Sequence, residues 1–141
     1  MLEEQIYRET LLEIYRNPTN RGKITKPDLE AKLVSPLCGD EVRIQIGLAN
    51  REQRTGNSII KKVVFSGNGC AISQASASLL AESVEGKKLS EINKLRGNDI
   101  LELIGINPSP SRIGCALLSL NVLKEALTKV KTQNSKVKTA T

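Results

Sequence analysis

Between Phe65 and Ile72 the hydrophobic pattern of this chain changes period, from two to about 3.6. Upstream, Leu29, Ala31 and Leu33 alternate with Glu30 and Lys32, the pattern of a half-buried strand. Val42, Ile44, Ile46 and Leu48 alternate with Arg43, Gln45 and Gly47, the clearest strand in the chain. Ile59 to Phe65 makes a third, after a polar hairpin loop over Asn50 to Asn57. Short connections between strands favour antiparallel pairing. Downstream, Ala75, Leu79, Leu80 and Val84 mark a helix over Ile72 to Val84 that ends near Gly86. Leu89 to Leu95 and Ile100 to Ile104 are short helical segments bounded by Gly97 and Gly105. A last long helix, with Ser111 able to cap it, carries a stripe of Leu120, Leu123, Leu127 and Val130. A first helix runs from Leu2 to Asn17-Pro18, where proline stops it. Strands followed by helices predict an α+β fold: a three-stranded antiparallel sheet with helices packed on one face.

At 141 residues the chain is long enough for one domain with its own core. Aromatic residues make up only 2%, so that core must be built from Leu, Ile, Val and Ala. We expect the domain over residues 1–130 and a basic disordered tail over 131–141, where Lys131, Lys136 and Lys138 meet no acid. The opening Met1-Leu2-Glu3-Glu4-Gln5 is too acidic for a signal peptide, and no apolar run nears the roughly 20 residues of a membrane span. A soluble, cytoplasmic protein with no membrane partner is expected. The net charge of +6 raises the question of nucleic acid. Tyr7, Tyr15 and Phe65 are too few rings for a base-stacking platform, which argues against it.

Chemistry is concentrated in three cysteines, and there is no histidine. An odd number of thiols argues against a closed disulfide framework and fits a reducing compartment. Each lies at an element end: Cys38 in Cys38-Gly39-Asp40 between the first two strands, Cys70 after Gly67-Asn68-Gly69, and Cys115 in the first turn of the last helix. Helix N-termini favour thiolate over thiol. If the fold gathers them with Asp40, the site is a pocket of three sulfurs and one oxygen suited to zinc or an iron–sulfur centre. The spacings of 32 and 45 positions contain no Cys-x-x-Cys pair, and a free cysteine is commonly a small buried hydrophobe. Both readings stand on spacing alone. A basic binding module with structural thiols is a third.

Several blocks, taken in order, carry a resemblance. They are Tyr15-Arg16-Asn17-Pro18-Thr19-Asn20-Arg21-Gly22, Ser35-Pro36-Leu37-Cys38-Gly39-Asp40, Phe65-Ser66-Gly67-Asn68-Gly69-Cys70-Ala71-Ile72-Ser73 running into Ala75-Ser76-Ala77-Ser78, and Arg112-Ile113-Gly114-Cys115. Over roughly residues 2–128 the chain resembles the U-type iron–sulfur scaffold family of IscU, SufU and the NifU N-terminal domain. The resemblance implies the same sheet-and-helix fold, with Cys38, Asp40, Cys70 and Cys115 at one end as metal and cluster ligands. It implies transient iron or a [2Fe–2S] cluster, or zinc, on those residues. It also implies sulfur taken from a pyridoxal-phosphate cysteine desulfurase and product passed to apo iron–sulfur acceptor proteins. Such a protein is a scaffold with Cys115 as sulfur acceptor; the alternative is a zinc-dependent sulfurtransferase of the SufU kind. Ser35 stands where the family has Asn, and Gly114 where IscU proteins carry His and SufU proteins Lys. The insertion typical of SufU between the second and third cysteines is absent, and so is the Leu-Pro-Pro-Val-Lys chaperone segment from Asn107 to Arg112.

Overall fold

The computed structural model describes residues 2–35, 39–50, 55–105, 108, 110 and 112–134. Cys38, Ser111, part of the hairpin loop and the tail beyond residue 134 lie outside the described residues. The elements run α1 (Leu2–Arg16), β1 (Leu29–Val34), β2 (Glu41–Leu48), β3 (Ile60–Asn68), α2 (Ala71–Val84), α3 (Leu89–Ile92), α4 (Gly97–Ile104) and α5 (Ile113–Asn134). The three strands form one antiparallel sheet in the order β1-β2-β3.

The register explains the alternation in the sequence. Ile44 sits opposite Ala31 on one side and Phe65 on the other, and Ile46 sits between Leu29 and Val63. These side chains share one sheet face, because alternate residues of a strand point the same way. Helices α2 and α5 cover it with Ala77, Leu80, Val84, Leu120, Leu123 and Leu127. Each fully buried Leu or Ile side chain contributes about 1.5–3 kcal/mol by leaving water, so an aliphatic core suffices without rings. The expected sheet with helices on one face is the architecture found.

Helix boundaries differ from the sequence expectation in two places. Helix α4 begins at Gly97 and not at Ile100, because Asp99 Oδ2 accepts the Arg96 backbone N–H at 2.8 Å and so closes the first turn. It ends at Gly105 in the left-handed conformation, φ 73°. Helix α3 is a single turn that stops at Ile92.

Strand β3 runs three residues past Phe65, and that extension delivers Cys70 to the sheet edge. It is possible because Gly67 has φ 144° and pairs with Val42. The outer edge of β3 is closed by the segment after α1. The Phe65 N–H donates to the Asn20 carbonyl at 3.1 Å, and the Gly22 N–H to the Phe65 carbonyl at 3.0 Å. Asn20 also exchanges two side-chain bonds with Ser78 of α2, at 2.8 Å each. Arg21 Nη2 donates to the Gly67 carbonyl at 2.9 Å. The Asn20-Arg21-Gly22 block of the sequence is therefore a clasp joining sheet edge to helix.

Candidate metal centre

Three elements end at one place. The turn before β2 carries Asp40; it is closed by Ser35 N–H to Asp40 carbonyl at 2.7 Å and Gly39 N–H to Ser35 carbonyl at 2.8 Å. Gly39 adopts φ 72°, the left-handed region that glycine enters most readily. Cys70 is the N-cap residue of α2, with extended backbone, φ −73° and ψ 167°. Cys115 is the third residue of α5. Both helices thus aim their positive ends at the thiols. They lie close because Ala75 and Ala116, both fully buried, meet with Leu11 and Ile104 in a second apolar cluster beside the site.

The ligand atoms of Asp40, Cys70 and Cys115 all lie within 4.8 Å of one another. Ligands about 2.0–2.3 Å from a common zinc ion stand roughly 3.5–4 Å apart, so a small closing movement completes the geometry. The donor set fits a borderline-soft metal ion: two thiols and a carboxylate. Asp40 is 6% exposed, and its Oδ2 is buried with no hydrogen-bond partner among the described residues. A buried carboxylate oxygen left unpaired costs free energy that a cation would recover. Burial alone would push the Asp40 pKa up. Hydrogen bonds from the Cys70 thiol, the Ser73 hydroxyl, the Cys70 backbone N–H and the Cys115 thiol more than offset it and hold the carboxyl below its usual value. The Asp40 carboxylate is therefore charged near neutral pH.

Arg112, just before α5, is exposed, yet it reaches the same thiols. Its hydrogen bond to Cys70 and its attraction to Cys70 and Cys115 keep the guanidinium charged. Of the residues singled out in the sequence, Asp40, Cys70 and Cys115 come together, Arg112 joins them, and Cys38 falls outside the described residues.

The site leaves no room for a β-carbon at Gly69. A methyl built there would stand 2.7 Å from Asp40 Cγ and 2.7 Å from Ser73 Oγ. Gly69→Ala is expected to displace the carboxylate, destabilise the fold by about 1–3 kcal/mol and lower zinc affinity by about 10-fold or more. Thermal melting and chelator competition measure the two effects. An affinity within about twofold of wild type would refute this account of Gly69.

Residues 6–137 match the family described as NifU-like N terminal domain. The chain belongs to that family. It is 29% identical over 143 residues to the zinc-dependent sulfurtransferase SufU of Bacillus subtilis, covering 89% of this chain and 92% of that protein. It is 31% identical over 124 residues to the iron–sulfur cluster assembly scaffold protein IscU of Haemophilus influenzae, covering 86% and 92%. Among solved structures it resembles a putative iron–sulfur cluster assembly scaffold protein for the SUF system from Fervidobacterium islandicum. The TM-score there is 0.69 with 28% identity, over 88% of this chain and 98% of that one. The fold and the family expected from the sequence blocks are thus those of its relatives. Among the described residues no helix is long and apolar enough to cross a membrane.

The sequence blocks include Ser73 without giving it a role and pass over Gln74, whose Nε2 donates to the Glu41 carbonyl at 3.3 Å and to Ser73 Oγ at 3.2 Å. A signal was present in their spacing: positions three and four after Cys70, once Cys70 opens a helix, return to the same face.

Proposed function

We propose that this chain is an iron–sulfur cluster assembly scaffold that receives sulfur from a pyridoxal-phosphate cysteine desulfurase. The convergence of Asp40, Cys70 and Cys115 within 4.8 Å carries the reading. Cys38, two positions before Asp40, supplies the remaining thiol. Zinc held by these four residues would keep the thiols deprotonated and the site closed until sulfur and iron arrive.

Cys115 is the sulfur acceptor. Its thiolate attacks the outer sulfur of the desulfurase persulfide. A new S–S bond forms on Cys115, the old one breaks, and the desulfurase cysteine leaves as thiolate, so no net redox occurs. Reducing that persulfide to sulfide takes two electrons from a separate donor protein. Cys115 is 1% exposed while Cys70 is half-buried, so docking of the desulfurase must open the site from the Cys70 side. Arg112, exposed at that mouth and paired to the thiols, is placed to meet an acidic surface of the desulfurase.

Asp40 is the labile ligand. A single oxygen donor among sulfurs binds a soft centre less firmly, which suits a protein that must give its product to apo iron–sulfur acceptors. A second reading is a zinc-dependent sulfurtransferase that never builds clusters. It is favoured by Arg112 against the thiols, by the absence of histidine and by the SufU relative. Anaerobic incubation with ferrous iron, cysteine and a desulfurase separates the two. Visible absorption of a [2Fe–2S] centre supports the scaffold; a persulfide with zinc retained and no colour supports the carrier; neither product refutes both. In the scaffold case Asp40→Ala should lengthen the life of the bound cluster several-fold, and faster loss would rule out the labile role.

A further inference from the structure

Sulfur delivered to Cys115 arrives beside a second thiol. The Sγ atoms of Cys70 and Cys115 lie within 4.8 Å of each other, and both thiols are reduced. A disulfide needs about 2.05 Å between them, so one wall of the site must move inward to join them. The first turn of α5 has the clearance. Ile113 is 38% exposed and Gly114 is exposed, and a β-carbon built on Gly114 would meet nothing within 4 Å. The Cys70 wall has none: a β-carbon on Gly69, the residue before it, would stand 2.7 Å from Asp40 Cγ. The pair is one fixed thiol and one on a turn that is open on its outer side.

We infer that Cys70 is the resolving cysteine of this site: it attacks a persulfide on Cys115, closes a Cys70–Cys115 disulfide and expels the delivered sulfur as hydrosulfide. The inference rests on the sulfur-accepting role proposed above for Cys115.

The step balances within the chain. The Cys70 sulfur attacks Cys115 Sγ, the inner sulfur of the persulfide, and the bond between the two cysteines forms. The bond from Cys115 Sγ to the outer sulfur breaks, and its electron pair leaves with hydrosulfide. The two cysteines are oxidised to the disulfide, the outer sulfur takes the two electrons, and the proton of the Cys70 thiol goes to water. Attack on the outer sulfur would only move the persulfide to Cys70, with Cys115 thiolate as leaving group. Hydrosulfide is the weaker base and leaves faster. No unusual acidity is required, since the ionised fraction of an ordinary cysteine suffices for exchange. The two electrons of the donor protein then enter at the disulfide and restore both thiols.

The test uses the full chain stripped of metal, charged anaerobically by a desulfurase and cysteine, and then separated from them. Peptide mass mapping without reductant should find the extra sulfur on Cys115 first. That species should give way to a peptide pair linked through Cys70 and Cys115, with one hydrosulfide released per link. In Cys70→Ser the persulfide on Cys115 should form and persist, and hydrosulfide release should slow by about 10-fold or more. Melting shows whether that variant is folded; if it is not, the link in the wild-type chain decides the matter. A wild-type persulfide that persists with Cys70 still reduced overturns the inference and leaves sulfur acceptance standing. So does extra sulfur found on Cys70, a link from Cys115 to Cys38, or release from folded Cys70→Ser at the wild-type rate. A chain that takes up no sulfur at all overturns the accepting role of Cys115, and this inference with it.

Discussion

Replacing Cys70 or Cys115 with serine should lower zinc affinity by more than about 100-fold, beyond what loss of a group behind a ligand produces. The reason is chemical before it is geometric. A metal binds cysteine as its thiolate, whereas a serine hydroxyl does not ionise. The substituted site would offer a metal one soft anionic donor fewer and a neutral oxygen in its place. Chelator competition measures affinity, and elemental analysis of the purified variant gives occupancy. The pair also separates site from scaffold. Cys115 is buried, so a hydroxyl there carries a desolvation cost of about 1–3 kcal/mol in the fold itself. Cys70 is half-buried and should lose metal with little change in the melting of the metal-free protein. Affinity within about threefold of wild type in Cys70→Ser would mean that these thiols do not hold the ion. After reaction with a desulfurase, peptide mass mapping should find the extra sulfur atom on Cys115.

Gly67→Ala should be the most damaging single methyl in the sheet. A β-carbon at Gly67 would run into the Glu41 carbonyl oxygen and stand 2.9 Å from its carbon and 3.1 Å from Val42 Cα. These are backbone atoms of the paired strand and cannot turn aside as a side chain can. The backbone conformation, φ 144°, is one that side-chain-bearing residues rarely adopt. Strain of about 1–3 kcal/mol and overpacking of similar size together give roughly 2–6 kcal/mol. For a chain of this length that is a drop in Tm of roughly 5–20 °C. Because Gly67 pairs with Val42 next to Glu41 and Asp40, the separation of Asp40 and Cys70 should widen and metal affinity should fall with stability. A loss below about 1 kcal/mol by chemical denaturation would show that β3 can end at Phe65 without harm.

Much of this was legible in the chain. The alternation through Val42, Ile44, Ile46 and Leu48 specified a strand and its buried face, because a one-residue slip would turn every apolar side chain to water. The switch to Ala75, Leu80 and Val84 specified the helix that covers it. The thiols were legible as candidates because each stood at an element end. Their meeting was not legible, since spacings of 32 and 45 positions say nothing about distance in space. Hydrophobic periodicity in α4 begins only at Ile100, whereas the bond from the Arg96 N–H to Asp99 starts the helix three residues earlier, at Gly97.

By itself, then, the order of residues determined which segments are strands or helices, which side chains enter the core and which few side chains can bind a soft metal. Those properties depend on neighbours within a few positions and on the cost of leaving apolar surface in water. Tertiary structure alone decided that Asp40, Cys70 and Cys115 share one edge, that Arg112 faces them and that Gln74 ties the first turn of α2 to Glu41 at the start of β2. Those relations come from how closely α2 and α5 approach across Ala75 and Ala116 and from how far β3 can run past Phe65 on a glycine. Both are matters of volume and backbone clearance between segments far apart in the chain.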